Sequence, residues 1–244
     1  MARYPLRLLF LLLLAPAAFA RSEPPATDNP LRFFTEEYAP FSYSDNGNVS
    51  GINTELLKRA ADQLELEVEF AVVPWGRAQL SARNNADACF FSAARTSRRE
   101  DTYQWVGPLS REHIVLYSLH PDSPKLEDFQ DASNYRVGGQ SADAYSDWVE
   151  KQGVPVDPVT EVADNVAKLQ WGRIELWLAG SIAGPYIATQ QEVNIHPQAT
   201  SDEAFELWLA CNRDFPEALI QALNEAIEQL REDGTLDAIQ SRYQ

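Results

Sequence analysis

A repeated change of period restricts this chain more than any other feature. Leu31 to Thr35 is a short apolar run of strand type. Residues 52–64 then carry apolar side chains at helical spacing (Leu56, Leu57, Ala60, Ala61, Leu64), with Asn53 or Thr54 able to cap them. Residues 66–73 alternate apolar with acidic residues, as a half-buried strand does. Pro74-Trp75 opens a short helix to about Arg83, and residues 88–91 are again a short, β-prone apolar run. Strand, helix, strand, helix, strand makes a parallel sheet with helical crossovers. Such sheets bind ligands beyond the carboxyl ends of their strands. The segments 35–41, 74–77 and 91–99 should therefore meet on one face.

The same grammar returns further on. Residues 135–138 read as a strand ending in Gly138-Gly139-Gln140-Ser141, followed by a helix from Ala142 to about Lys151 with Ser141 expected at its N-cap. The glycines permit close backbone approach, and N–H groups at a helix start can face an anion. Residues 156–160 and 174–179 read as strands, 163–171 as a helix closed by Gly172, and Gly180-Ser181 leads into another helix. Extended segments at 103–106 and 113–119 join the halves. Short strands at 193–195 and 205–211 precede a long helix from Pro216 to Glu232 and a final helix from Leu236 to Arg242. No short fixed period runs through the chain, so a solenoid is excluded. The repetition is architectural, two similar α/β lobes.

Residues 1–20 stand outside this pattern. Arg3 and Arg7 flank an apolar run, Leu8 to Ala15, and Ala18-Phe19-Ala20 has the small residues of a cleavage site, so a secretory signal peptide cut after Ala20 is expected. Its removal takes two arginines and no acids, moving the formal charge from −16 to about −18. A surface that negative disfavours nucleic acid and anionic membranes, without bearing on a small anion in a cleft. The histidines (His113, His120, His196) and two cysteines show no metal-ligand spacing, and no cofactor is expected. An oxidising compartment would permit a Cys89–Cys211 bond, but neighbours on adjacent strands have poor geometry for one. The expectation is two buried thiols.

Chemistry concentrates between Asp87 and Pro108. The strand there runs into the small residues Ser92, Ala93 and Ala94, then Arg95, Arg98 and Arg99 with Thr96 and Ser97 between them. A strand end that delivers guanidinium groups and free N–H donors to one spot can hold a carboxylate. Arg99 is the principal candidate; a solvated basic turn would look the same locally.

Taken together, Tyr38-Ala-Pro-Phe41, Gly51-Ile-Asn-Thr-Glu-Leu56, Asp87-Ala88 leading to Thr96-Ser-Arg-Arg99, Trp105 to Pro108, Val137-Gly138 with Gln140, Gly172-Arg-Ile-Glu175 and Arg231-Glu-Asp-Gly-Thr235 resemble the periplasmic solute-binding proteins of the polar amino-acid ABC-transporter type, extracellular solute-binding protein family 3. The resemblance covers the whole mature chain. It implies a two-lobed periplasmic binding protein fold of type II, each lobe a mostly parallel sheet with helices on both faces, and two crossover strands at the hinge. Lobe I would comprise 21–110 plus 202–244, and lobe II 111–201. The implied mechanism is hinge closure on a small carboxylate or amino-acid-like ligand in the periplasm, and delivery by a monomer to an inner-membrane ABC permease.

Residue by residue, the resemblance implies that Arg99 clamps the ligand carboxylate with Thr96 beside it, while Tyr38 and Trp75 supply aromatic walls. Arg77 would sit on the rim, and Phe91 faces either ligand or core. Gly139, Gln140 and Ser141 would contribute from lobe II. The chain departs from the family at Ala94, where a hydroxyl is usual, and at Gly180, where an aspartate usually pairs with the ligand amino group. Asp143 and Ala144 replace paired threonines, and Asp143 could serve an amine from another direction. Without an anionic partner at 94 or 180 an ordinary α-amino acid is a doubtful ligand, since a buried unpaired ammonium costs several kcal/mol. Two other functions remain open on the same scaffold: a cyclohexadienyl-dehydratase-like enzyme, disfavoured because no paired carboxylates are evident in the predicted cleft loops, and a detached ligand-sensing protein for a membrane receptor.

Overall fold

A computed structural model describes residues 29–243 except 123 and 125, so the expected signal peptide at 1–20 lies outside the described residues. Strand β1 (Leu31–Thr35) leads through a hairpin, β2 (Tyr43–Asp45) and β3 (Asn48–Ser50), into α1 (Ile52–Gln63), β4 (Val68–Val72), α2 (Trp75–Asn84) and β5 (Ala88–Ala94). Asn46 and Gly47 form the tip of that hairpin. As the alternation requires, β1 lies between β4 and β5 and parallel to both, with Phe33 opposite Phe70 and Cys89. Every residue of β5 is buried because it is central and covered on both faces. Gly51 admits the tight entry to α1: its φ is 117°, and a Cβ there would lie 2.5 Å from the Phe41 carbonyl oxygen.

After the short α3 (Ser97–Glu100) comes β6 (Gln104–Ser118), then β7 (Val137–Gln140), α4 (Ala144–Glu150), β8 (Val156–Val159), α5 (Asp164–Gln170), β9 (Leu176–Gly180) and α6 (Ala183–Gln190). The chain returns on β10 (His196–Cys211) and finishes with α7 (Glu217–Glu232) and α8 (Thr235–Gln240). The strand order is β4-β1-β5-β10-β6-β9-β7-β8. β6 and β10 are antiparallel partners along their length, and they carry the sheet from one lobe into the other. Pro108 and the Arg111-Glu112 pair interrupt the apolar pattern, which is why 103–106 and 113–119 look like separate segments in sequence. In the fold they are one 15-residue strand, and the strand expected at 205–211 likewise begins at His196.

Helices cover both faces of each half. In the first, Trp75, Ala78 and Ala82 of α2 pack with Phe90 and Ala93 on one face, while Leu56, Leu57 and Ala60 of α1 join Leu219, Leu223 and Ile227 of α7 on the other. The buried residues of α7 (Leu219, Ile220, Leu223, Ala226, Ile227, Leu230) recur at helical spacing; each large one contributes about 1.5–3 kcal/mol of transfer free energy. In the second half, Tyr145 and Val149 of α4 pack against Leu176 and Leu178, with α5 and α6 against Trp177 and Ala179 opposite.

The expectation of two free thiols is overturned: Cys89 and Cys211 form a disulfide. The register sets them directly opposite each other on β5 and β10. Asn212 N–H bonds the Ala88 carbonyl at 3.0 Å, so the cysteines occupy the neighbouring, closer kind of cross-strand pair, with Cα atoms 3.9 Å apart. The bond spans 122 residues of sequence, including the whole second half of the fold. Closing so long a loop stabilises through the unfolded state, so the Cys89→Ala/Cys211→Ala double variant should lose about 2–5 kcal/mol, read as a lowered urea midpoint with unchanged far-UV circular dichroism.

Candidate functional site

The carboxyl ends of β1, β4 and β5 open on the same side. The loop after β1 brings Glu36 and Tyr38, α2 begins with Trp75, and β5 ends in Ser92 and Ala94. Facing them from the second lobe are Gln140 at the end of β7, Asp143 and Tyr145 at the start of α4, and Leu178 and Ala179 of β9. Between the two sets is a cavity of ≈ 20 Å³, room for about one water, so the lobes lie closed on each other.

Arg99 projects into this junction. It is 9% exposed, its guanidinium packs over the Trp75 ring at 5.6 Å, and burial pushes its pKa down. Nη1 donates to the Ala94 carbonyl (3.0 Å); Nη2 donates to Gln79 Oε1 (3.4 Å) and, across the cleft, to the Ala142 carbonyl (3.0 Å). Trp75 Nε1 (3.2 Å) and Gln79 Nε2 (3.1 Å) donate to that same carbonyl. Lobe I thus gathers donors around a single acceptor on lobe II.

Three buried or half-buried carboxylates surround the cleft: Glu36, Glu112 and Asp143. Glu36, 5% exposed, accepts a bond from Gln140 Nε2 of the other lobe; burial drives its pKa well up, and nearby Asp143 adds to the rise. Glu112, on β6, accepts from Tyr38 and Tyr145 (3.0 Å) through Oε1 and from the Ile182 (3.1 Å) and Ala183 (3.2 Å) amides through Oε2. Burial raises its pKa against the pull of those bonds. Asp143 caps α4 by accepting from Tyr145 N–H (3.0 Å) and Ser146 N–H (3.2 Å); burial raises it too, opposed chiefly by the charge of Arg99. Asp143, not Ser141, is therefore the N-cap, because the turn at Ala142 delays the helix by two residues.

Several expected site residues do meet here: Arg99, Tyr38, Trp75, Ala94, Gln140 and Asp143. Phe91 turns into the lobe I core against Phe70 at 6.0 Å, Arg77 is exposed, and Ser141 is exposed with its N–H on the Val159 carbonyl (2.9 Å). Gly139 is buried under the edge of the cleft, its carbonyl held by Asn165 (3.0 Å). The Thr96 carbonyl accepts the Arg99 and Glu100 amides, fixing the turn that aims Arg99. Arg95 is ion-paired to Glu100, and Arg98 reaches Asp147 of the second lobe at 2.8 Å.

Gly180 corrects a larger expectation. A Cβ at that position would lie 2.0 Å from the Glu112 carboxyl, so the glycine is what makes room for an acid supplied by another strand. The cleft is not short of carboxyl groups; Glu112, Glu36 and Asp143 supply them instead. Sequence reasoning missed Glu36, Ser92, Glu112 and Tyr145. Glu36 had a signal in its place beside Tyr38 at a strand end, and Ser92 in its place within the arginine-bearing strand. Glu112 had none, being one acid on a strand whose partner was not evident. Ser92 holds a left-handed φ of 60° and bonds Ser42 (3.1 Å) and Asn53 (3.1 Å), tying the strand end to the Tyr38 loop.

Residues 31–244 match the profile of the bacterial extracellular solute-binding proteins, family 3. The L-cystine-binding protein TcyJ of Escherichia coli (strain K12) is 24% identical over 213 residues, covering 84% of this chain and 79% of its own. Among solved structures, a histidine kinase sensor domain with similarity to periplasmic binding proteins superposes with a TM-score of 0.81 at 19% identity, over 88% of this chain and 95% of that one. The ancestral amino acid-binding protein AncCDT-1, a precursor of cyclohexadienyl dehydratase, does so with a TM-score of 0.76 at 21% identity, over 88% and 95%. These structural likenesses bear on the fold.

Because the native pKa of Glu36 lies above its unfolded value, the folded protein keeps a proton that the unfolded chain has released. That contribution is full below the ordinary carboxylate range and is lost as pH rises toward the native pKa. The melting temperature of the ligand-free protein should therefore fall more steeply with pH above about 4.5 than that of Glu36→Gln; parallel curves would contradict this account.

Proposed function

The chain belongs to family 3 of the bacterial extracellular solute-binding proteins, and we propose that it is a periplasmic solute receptor that closes on a small carboxylate-bearing ligand and hands it to an ABC permease. In this reading 21–110 with 202–244 form the first lobe and 111–201 the second. The ligand docks on one lobe, rotation about β6 and β10 brings the other onto it, and the closed state is the one the permease recognises. The related cystine-binding protein supports an amino-acid-like solute here.

The observation that carries the proposal is the aim of Arg99. Its guanidinium is buried at the lobe junction, and among the described residues its hydrogen bond across the cleft goes to the Ala142 carbonyl, a neutral acceptor, rather than to an acid. A ligand carboxylate offers the same donors a full charge and two oxygens, and charge-assisted bonds are roughly twice as strong as neutral ones. Trp75 would cover the ligand from one side and Tyr38 from another.

Raised carboxyl pKa values in the cleft favour a second reading. Glu36 stays protonated above the usual carboxylate range and borders the cavity, as a general acid must. A dehydratase-like enzyme acting on a cyclohexadienyl acid would use such a group; growth of aromatic absorbance from that substrate, lost in Glu36→Gln, would favour catalysis over transport.

Binding raises stability by mass action, by about 2.7 kcal/mol at a ligand concentration of 100 Kd. A thermal-shift screen of amino acids, keto acids, dicarboxylates and polyamines should give its largest shift with a carboxylate-bearing solute, and Arg99→Ala should abolish that shift. A polyamine giving the largest shift, undiminished in Arg99→Ala, would refute the anion clamp.

A further inference from the structure

We propose that a second pocket, lined by both lobes and separate from the cleft, binds a small amphiphilic anion, a molecule with an apolar body and one negatively charged head. The pocket has a volume of ≈ 310 Å³, against ≈ 20 Å³ for the cleft, and no residue lines both. Small-molecule sites commonly span about 300–1,000 Å³. The proposal stands apart from the receptor reading and holds whatever solute the cleft takes.

Its walls are apolar and come from separate parts of the chain. Phe41 and Ile52 border it, with Leu109 of β6 and Leu236 of α8, and Ile182, just before α6, supplies a wall from the second lobe. Phe41, Ile52, Leu109 and Leu236 are buried, whereas Ile182 is 42% exposed, one of three large apolar side chains left so exposed among the described residues. An apolar guest would cover this surface, which folding leaves in water.

The polar groups of the pocket favour an anionic head. Arg111 and Arg231 line it, and among the described residues no acid does. Arg231 is committed, its guanidinium donating to the Pro108 carbonyl (2.6 Å) and pairing with Glu228. Arg111 is not: its side chain is 69% exposed, and its ion pair with Glu206 is 3.7 Å long, beyond hydrogen-bond range. Beside it in the chain is Ser110, which also borders the pocket. Ser110 is 7% exposed, and its Oγ has no hydrogen-bond partner among the described residues. Few buried polar groups are left so, and a carboxylate or sulfonate oxygen could accept from this one.

The pocket adjoins the brace between the lobes. Ile182 N–H donates to Glu112 Oε2 at 3.1 Å, and Phe41 stacks on Tyr38, with ring centroids 5.8 Å apart, while Tyr38 donates to the same carboxyl. A guest that touches Phe41 and Ile182 together is held by both lobes in their packed arrangement, and so favours that arrangement over one in which they separate.

Titration of the folded protein with anilinonaphthalene sulfonate, an apolar anion that fluoresces when shielded from water, tests this. One equivalent should bind, octanoate should displace it, and octylamine at equal concentration should not. Ile182→Asn removes apolar contact but suits the start of α6, and should weaken the probe about tenfold. Arg111→Gln should weaken it about threefold to fivefold and reduce the preference for octanoate over octylamine. Both positions are exposed, so both variants should keep the far-UV circular dichroism of the wild type. No bound probe, binding that both variants leave intact, displacement by octylamine as readily as by octanoate, or binding lost in Arg99→Ala alone overturns the site. Sedimentation showing a dimer that excludes the probe assigns the pocket to a second copy of the chain and overturns it too. None of these results touches the receptor reading.

Discussion

The pairing of β6 with β10 is the constraint on which this molecule depends. Their antiparallel ladder runs from Gln104 opposite Cys211 to Ser118 opposite His196, and both lobes are built outward from it. At one end β5 and the disulfide anchor it in the first lobe; at the other, β9 pairs with β6 in the second. Its register shifts between Thr200 and Ala204, near the passage between lobes, and irregularities of this kind let a strand bend without losing its partner. A rotation of the lobes concentrated there would leave each core intact.

The same ladder accounts for the chemistry of the cleft. Glu112 lies on β6 where the strand passes between lobes, so its carboxyl reaches Tyr38 of one lobe and Tyr145 of the other. Gly180 on β9 leaves the space that this acid fills. Glu36 meets Gln140, Arg99 meets Ala142 and Arg98 meets Asp147, so each of these groups is paired across the lobes. A solute that enters must replace such contacts with better ones, and a charged, multidentate group is the kind that can.

Much of the fold was legible in sequence. Apolar spacing marked α1 and α7, alternation marked β4, and the order of elements implied parallel strands whose carboxyl ends share one side, on which Arg99, Trp75 and Tyr38 do meet. Prolines and charges made β6 look like two pieces and hid the first half of β10. The apolar pattern reports burial, whereas a strand at a hinge is held by its backbone ladder. The thiols were misjudged for a related reason, since only the register of β5 on β10 sets Cys89 opposite Cys211.

The sequence by itself determined the kind of sheet and the side of it on which Tyr38, Trp75 and Arg99 come together. These follow from periodicity and side-chain chemistry, which act within a few residues of one another. The tertiary structure decided which acids share the cleft, because Glu36, Glu112 and Asp143 lie on separate elements and come together only through the packing of the two lobes. Electrostatic coupling depends on distance and burial, and neither quantity exists until residues far apart in the chain are packed together.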